Sequence, residues 1–168
     1  GLVLVALRGE ATLALLGAGA FFVLFYTWPL KYIGMGEVAV IVVWGPLMVG
    51  GSYYVITGEW SNNVAVASVA YALGPTAVLF GKHIDKLVED RAKKIRTLPV
   101  ILGEAASRWT VLAMLVAQLA LLVGLVASGY FHPVLPLPLA TAPSLRRVYQ
   151  VLSRPRPSEP PPELPAGV

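Results

Sequence analysis

Between Gly81 and Gly103 the run GKHIDKLVEDRAKKIRTLPVILG gathers three carboxylates (Asp85, Glu89 and Asp90) and six bases (Lys82, Lys86, Arg91, Lys93, Lys94 and Arg96). Carboxylate oxygens are what hard divalent cations bind, and magnesium needs only one or two of them when water and substrate phosphate complete its octahedron. Ammonium and guanidinium groups nearby then neutralise the remaining phosphate charge. The block therefore has the composition to hold a Mg2+-bridged diphosphate. If one helix runs through it, Asp85 and Glu89 are four apart and share a face, while Asp90 is turned about 100° from Glu89 and shares a face with Lys86. A solvated mixed-charge loop that only fixes membrane topology has the same pattern, so charge alone leaves both readings open.

The surroundings set the depth of this block. The chain is 57% hydrophobic and 13% charged, with a mean hydropathy of +0.71, far less charged than the roughly 25% of a soluble domain. That composition is expected for an all-α, polytopic transmembrane helical bundle. Ten of the 13 Lys and Arg fall in Lys82–Arg96 and Arg146–Arg156, so the basic balance marks topology and not nucleic-acid binding. With no cysteine, neither a disulfide framework nor a thiolate metal site is possible.

Spans of about 20 apolar residues are expected at about 11–28, 38–56, 63–80 and 109–130. A further stretch, 131–145, is short and broken by four prolines; it reads as a kinked crossing, a re-entrant piece or an interfacial segment. A basic, Pro-rich tail occupies 146–168. The positive-inside rule puts Lys31 and the Lys82–Arg96 loop on the cytoplasmic side, expected in a prokaryotic cell membrane. A basic tail on that side requires 131–145 to cross. PLKYIGMGE, between the first two spans, reads as a short surface connection. Small residues at Gly45–Gly51, Ala65–Ala72 and Gly74 suit close helix packing, and Gly74-Pro75 is expected to break or bend the third span about two turns before the acidic block. His83, beside the acids, suits a proton acceptor or a metal neighbour.

Three pieces in order, YTWPLKYIGMGEVAV (26–40), GPLMVGGSYYVITG (45–58) and EDRAKKIRTLPVILG (89–103), resemble the UbiA superfamily of intramembrane prenyltransferases, its menaquinone branch in particular. The resemblance covers about 26–104. It implies a helical bundle around a central cavity, two Asp-rich motifs that hold Mg2+ and a polyprenyl diphosphate, and transfer of the prenyl group to an aromatic or quinone-precursor acceptor of the 1,4-dihydroxy-2-naphthoate kind, within the membrane lipid. The second family motif falls on Asp90, Arg91, Arg96, Thr97 and Leu98. The family's earlier aspartate falls on Lys86, with Asp85 beside it and His83 where an asparagine is common; Asp85 with Glu89 restores a paired-carboxylate face in shifted register.

The expected assignment is therefore Asp85 and Asp90 as catalytic carboxylates, Asp85, Glu89 and Asp90 as metal ligands, and Lys31, Lys86, Arg91 and Arg96 as substrate-binding bases. Before Tyr26 the only acid is Glu10, so the chain reads as an incomplete, internal or C-terminal piece of such an enzyme, without turnover alone. The alternative is a non-catalytic polytopic protein or transporter part whose cytoplasmic loop binds anionic lipid.

Overall fold

Backbone amides inside lipid have no water to bond, which makes continuous helix the form these apolar runs must take. The computed structural model describes residues 1–132, 134, 140 and 142–154, and among them there is no strand. Helices α1 (Leu2–Arg8) and α2 (Glu10–Phe25) are followed by a 3-10 turn over Leu30–Ile33. Next, α3 (Gly36–Val42) passes through a π-helical segment (Val43–Gly50) into α4 (Gly51–Thr57). Then come α5 (Asn62–Asp85), the short α6 (Leu87–Ala92) and α7 (Leu98–Leu102), α8 (Glu104–Ala127) and α9 (Ala142–Leu152).

Gly36–Thr57, Asn62–Asp85 and Glu104–Ala127, at 22, 24 and 24 residues, are long and apolar enough to cross a bilayer. Helix α2 is apolar over 16 residues, or ~24 Å at 1.5 Å per residue, against a hydrocarbon core of about 30 Å. The chain is an all-α membrane helical bundle, as its composition requires. Apolar side chains such as Leu13, Val66, Val116 and Val123 are exposed, which suits a lipid surrounding. The stretch 131–145 lies largely outside the described residues, as does the tail beyond Arg154.

Helix α5 is the centre of the bundle, packed against α8, the π segment and α3. Leu73, Ala77, Phe80 and Ile84 lie on one stripe of α5 and close on Val111 and Met114 of α8. On its other side the approach is backbone to backbone. A Cβ on Gly45 would stand 3.1 Å from the Ser68 carbonyl oxygen and 3.2 Å from Ala72 Cβ, so the small residues on both partners set this distance. Gly45 leaves helical geometry (φ −93°, ψ −107°) just before Pro46, whose missing N–H and ring bulk account for the irregular turn. The expected bend at Gly74-Pro75 is not a break: α5 runs on through Pro75 to Asp85. The interruption falls at Lys86 (φ −93°, ψ 9°), between α5 and α6.

Buried Ser68, Thr76 and Ser107 donate their hydroxyls back to the carbonyls of Ala65, Ala72 and Gly103, which satisfies them within their own helices. At the end of the bundle away from the charged block, Arg8 donates to the Ile56 carbonyl at 2.6 Å. At the charged end, Arg108 of α8 bonds both Glu104 and the Arg154 carbonyl, and Trp109 packs on Tyr149 with ring centroids 6.3 Å apart. The last turn of α9 thus lies beside the first turns of α8, at the end that carries the charge.

Candidate functional site

Two loops fold together at that end. The connection after α2 is not the surface link its composition suggests, because Gly34, Gly36 and Glu37 are buried in it. Gly34 turns with φ 78° and faces Ile101 and the Arg96 carbonyl; the left-handed turn and the close approach together require glycine. Glu37, 2% exposed, meets His83 Nδ1 through Oε1 at 2.7 Å, and its Oε2 accepts the Leu98 N–H at 3.4 Å. One carboxylate thereby ties the first turn of α3 to the end of α5 and to the start of α7. The Tyr26 ring lies under Gly36, with Cε2 3.9 Å from where a Cβ would stand.

The break at Lys86 separates the three acids of the charged block. Asp85 ends α5 and is exposed; Glu89 in α6 is exposed and within 4.0 Å of Lys93. Asp90 is 6% exposed, and its Oδ2 has no hydrogen-bond partner. Thr97, 1% exposed, likewise has an unpartnered Oγ1. The loop between them is held at Asp90, whose carbonyl accepts the Ile95 N–H at 2.8 Å, and passes through Lys94 with a left-handed φ of 57°. Of the expected substrate-binding bases, Lys86, Arg91 and Arg96 are exposed and Lys31 is half-buried.

Among the described residues no group of three or more His, Cys, Asp and Glu side chains converges as a metal site. The atom that suits a cation is Asp90 Oδ2, a buried carboxylate oxygen without a donor, since leaving a charged oxygen so placed is costly unless something pairs with it. One such oxygen is within what magnesium requires of a protein when phosphate and water supply the rest.

Next to this polar end, a cavity of about 610 Å³ opens between α2, α3 with the π segment, and α5. Phe22, Val23, Val40, Val43, Trp44, Val78 and Leu79 line it, and Tyr26 and Lys82 carry polar atoms at its margin. Such a volume, with apolar walls and few polar groups, suits a hydrophobic ligand with one charged end.

Composition, long apolar helices and packing define an all-α integral membrane helical bundle. The chain belongs to the UbiA prenyltransferase family, whose family model matches residues 1–161. It is 30% identical over 94 residues to a 2-carboxy-1,4-naphthoquinone phytyltransferase of Synechocystis, covering 54% of this chain and 31% of that protein. It is 30% identical over 123 residues to UbiA prenyltransferase domain-containing protein 1 of Gallus gallus, covering 71% and 36%. A third relative is the 1,4-dihydroxy-2-naphthoate octaprenyltransferase of Escherichia coli, 35% identical over 80 residues, covering 48% and 26%. The chain thus spans about a third of the length of the curated relatives it matches. No solved structure matches it.

Proposed function

We propose that this chain forms part of a Mg2+-dependent prenyltransferase that moves a polyprenyl group from its diphosphate to an aromatic acceptor. The names of the relatives, a naphthoquinone phytyltransferase and a naphthoate octaprenyltransferase, favour a naphthoate-type acceptor. The observation that carries the reading is the buried, unpartnered Oδ2 of Asp90 within the family-like Asp-Arg…Arg-Thr-Leu sequence; the apolar cavity, which Asp90 does not line, meets the charged block at Lys82.

In this reaction the bond between the allylic carbon and the diphosphate oxygen breaks, and the electron pair leaves with diphosphate. A ring carbon of the acceptor gives a pair to the allylic carbon and afterwards loses its proton to the departed diphosphate, which restores the aromatic ring. Asp90 would hold the metal, joined by Asp85 or Glu89 once α6 adjusts to the ligand; when bound, magnesium offsets charge on the departing diphosphate. Lys82, Lys86, Arg91 and Arg96, with Lys31 across the two loops, supply the positive surroundings for that leaving group. Phe22, Trp44 and Leu79 keep water from the allylic cation, and the ring faces of Tyr26 and Trp44 stabilise it. Lys82–Arg96 faces the cytoplasm in this reading, in a prokaryotic membrane.

The test is Asp90→Ala in a full-length protein that carries this chain. Transfer of a radiolabelled prenyl group should fall by at least about a hundredfold, the scale of losing a charge-stabilising group, while membrane insertion is unchanged. Undiminished transfer refutes the role. If transfer is absent from the parent as well and only binding to anionic vesicles is found, the loop is a lipid-binding surface.

A further inference from the structure

The Glu37–His83 pair is buried and joins residues 46 apart, Glu37 in the first turn of α3 and His83 at the start of the charged block. Taking a carboxylate out of water is costly unless its oxygens are bonded, and here both are: Oε1 meets His83 Nδ1 and Oε2 accepts the Leu98 N–H. Those bonds run to the two sides of the Asp90 loop. His83 is in the last turn of α5, just before the break at Lys86; Leu98 follows Thr97 and begins α7. The near end of the loop is secured by the Ile95 N–H to Asp90 carbonyl bond. At the far end the Leu98 N–H donates to Glu37 of α3, and one residue on the Pro99 carbonyl accepts from Ser107 Oγ of α8 at 3.5 Å; of the two, the Glu37 bond is the one adjacent to Thr97.

We infer that Glu37 is a positioning residue: it fixes the Arg96–Leu98 segment against α3 and α5, so that the unpartnered oxygens of Asp90 and Thr97 are presented together to the diphosphate end of the substrate. This rests on the function proposed above. Glu37 and His83 are not among the residues lining the cavity, so the role acts through the loop and not on the reacting atoms.

A residue that positions by hydrogen bonding is replaceable by one that makes the same bonds. Glutamine keeps an oxygen for the Leu98 N–H and brings an amide that can donate to a neutral His83 Nδ1, whereas alanine loses both contacts. A proton-accepting carboxylate would be lost equally in both. Amide hydrogen exchange of residues 95–98 in the metal-free, full-length protein is the first readout. Glu37→Ala should speed it on the order of tenfold, as for losing a bond to a charged group, with exchange in α8 unaltered. Glu37→Gln should stay near the parent.

In turnover, Glu37→Ala should raise the half-saturating concentration of prenyl diphosphate by a similar factor and leave that of the acceptor in place. Should Glu37→Ala not insert, Leu98→Pro removes only the donor: Thr97 has ψ 158° and Leu98 opens α7, a backbone that proline accepts. Leu98→Ala controls for the lost side chain. The same rise in exchange in Leu98→Pro but not in Leu98→Ala supports the inference. Unchanged exchange in Glu37→Ala overturns it, as does Glu37→Gln being as inactive as Glu37→Ala. If the parent transfers no prenyl group, the proposed function fails and the exchange measurement, which needs no substrate, still decides the positioning role.

Discussion

Replacing Gly34 by alanine probes whether the two loops must dock for the site to exist. Gly34 has φ 78° and ψ 14°, a left-handed backbone that costs a residue with a Cβ about 1–2 kcal/mol. The new Cβ would stand 2.4 Å from Ile101 Cδ1 and 3.3 Å from the Arg96 carbonyl oxygen. Ile101 Cδ1 ends a flexible side chain, and moving it off its rotamer costs about 0.5–1.5 kcal/mol. Together the loops should lose about 1.5–3.5 kcal/mol of docking energy, or roughly ten- to several-hundredfold in the docked fraction at 1.36 kcal/mol per decade. Amide exchange of residues 95–98 in nanodiscs reads this directly. The steric part is separable: Ile101→Val removes Cδ1 and should return about 1 kcal/mol in the double variant, leaving the backbone part behind. If Gly34→Ala changes exchange by less than about threefold, within the usual error of additivity, or if Ile101→Val restores nothing, the loops do not hold each other as described.

Two further substitutions test other parts of the frame. Gly45→Ala forces a Cβ against Ser68 and Ala72 and should cost about 1–3 kcal/mol by overpacking, seen as a lower unfolding temperature that Ala72→Gly partly restores. Lys82→Met removes a cation that lines the cavity and should raise the half-saturating concentration of the anionic substrate about two- to fivefold, the upper part of the range for a solvent-exposed charge pair, without altering thermal stability.

The helices were legible because lipid leaves the backbone no other option, and length and hydropathy then mark them. Their ends were less so. Helix α8 begins at Glu104 and not near Trp109, because Glu104 and Arg108 pair one turn apart and extend the helix beyond its apolar stretch. Asp85 and Glu89 share a face only where one helix runs through the block. A single non-helical residue, Lys86, resets the register after it, so that Asp90 turns inward while Asp85 and Glu89 point out. Glu37 read as one charge in a polar connection and His83 as a lone histidine; their pairing across 46 residues has no local signal, since neither spacing nor hydropathy records which loops meet in space. The usable hint was the glycine pattern of GMGE: Gly34 and Gly36 flank a segment that must come close to other backbone.

Burial separates the acids in a way that composition cannot. A carboxylate on the surface keeps its hydration, as Glu89 does beside Lys93. Asp90 does not. Its side chain is withdrawn from solvent with one oxygen unbonded, an arrangement worth several kcal/mol of lost hydration if nothing offsets it. Thr97, equally buried, has its hydroxyl free although the neighbouring buried hydroxyl of Ser107 bonds a helical carbonyl. Three described side-chain oxygens are buried and unpartnered, Thr12 Oγ1, Asp90 Oδ2 and Thr97 Oγ1. Asp90 and Thr97 flank one loop at the charged end, where the proposed function supplies them with a metal and a diphosphate, while Ser68 and Thr76 bond within their own helix. Glu37 shows what the same fold does with an acid it needs only for structure: both oxygens are bonded to protein. The contrast between those two buried carboxylates is the strongest physical reason to place ligand binding at Asp90.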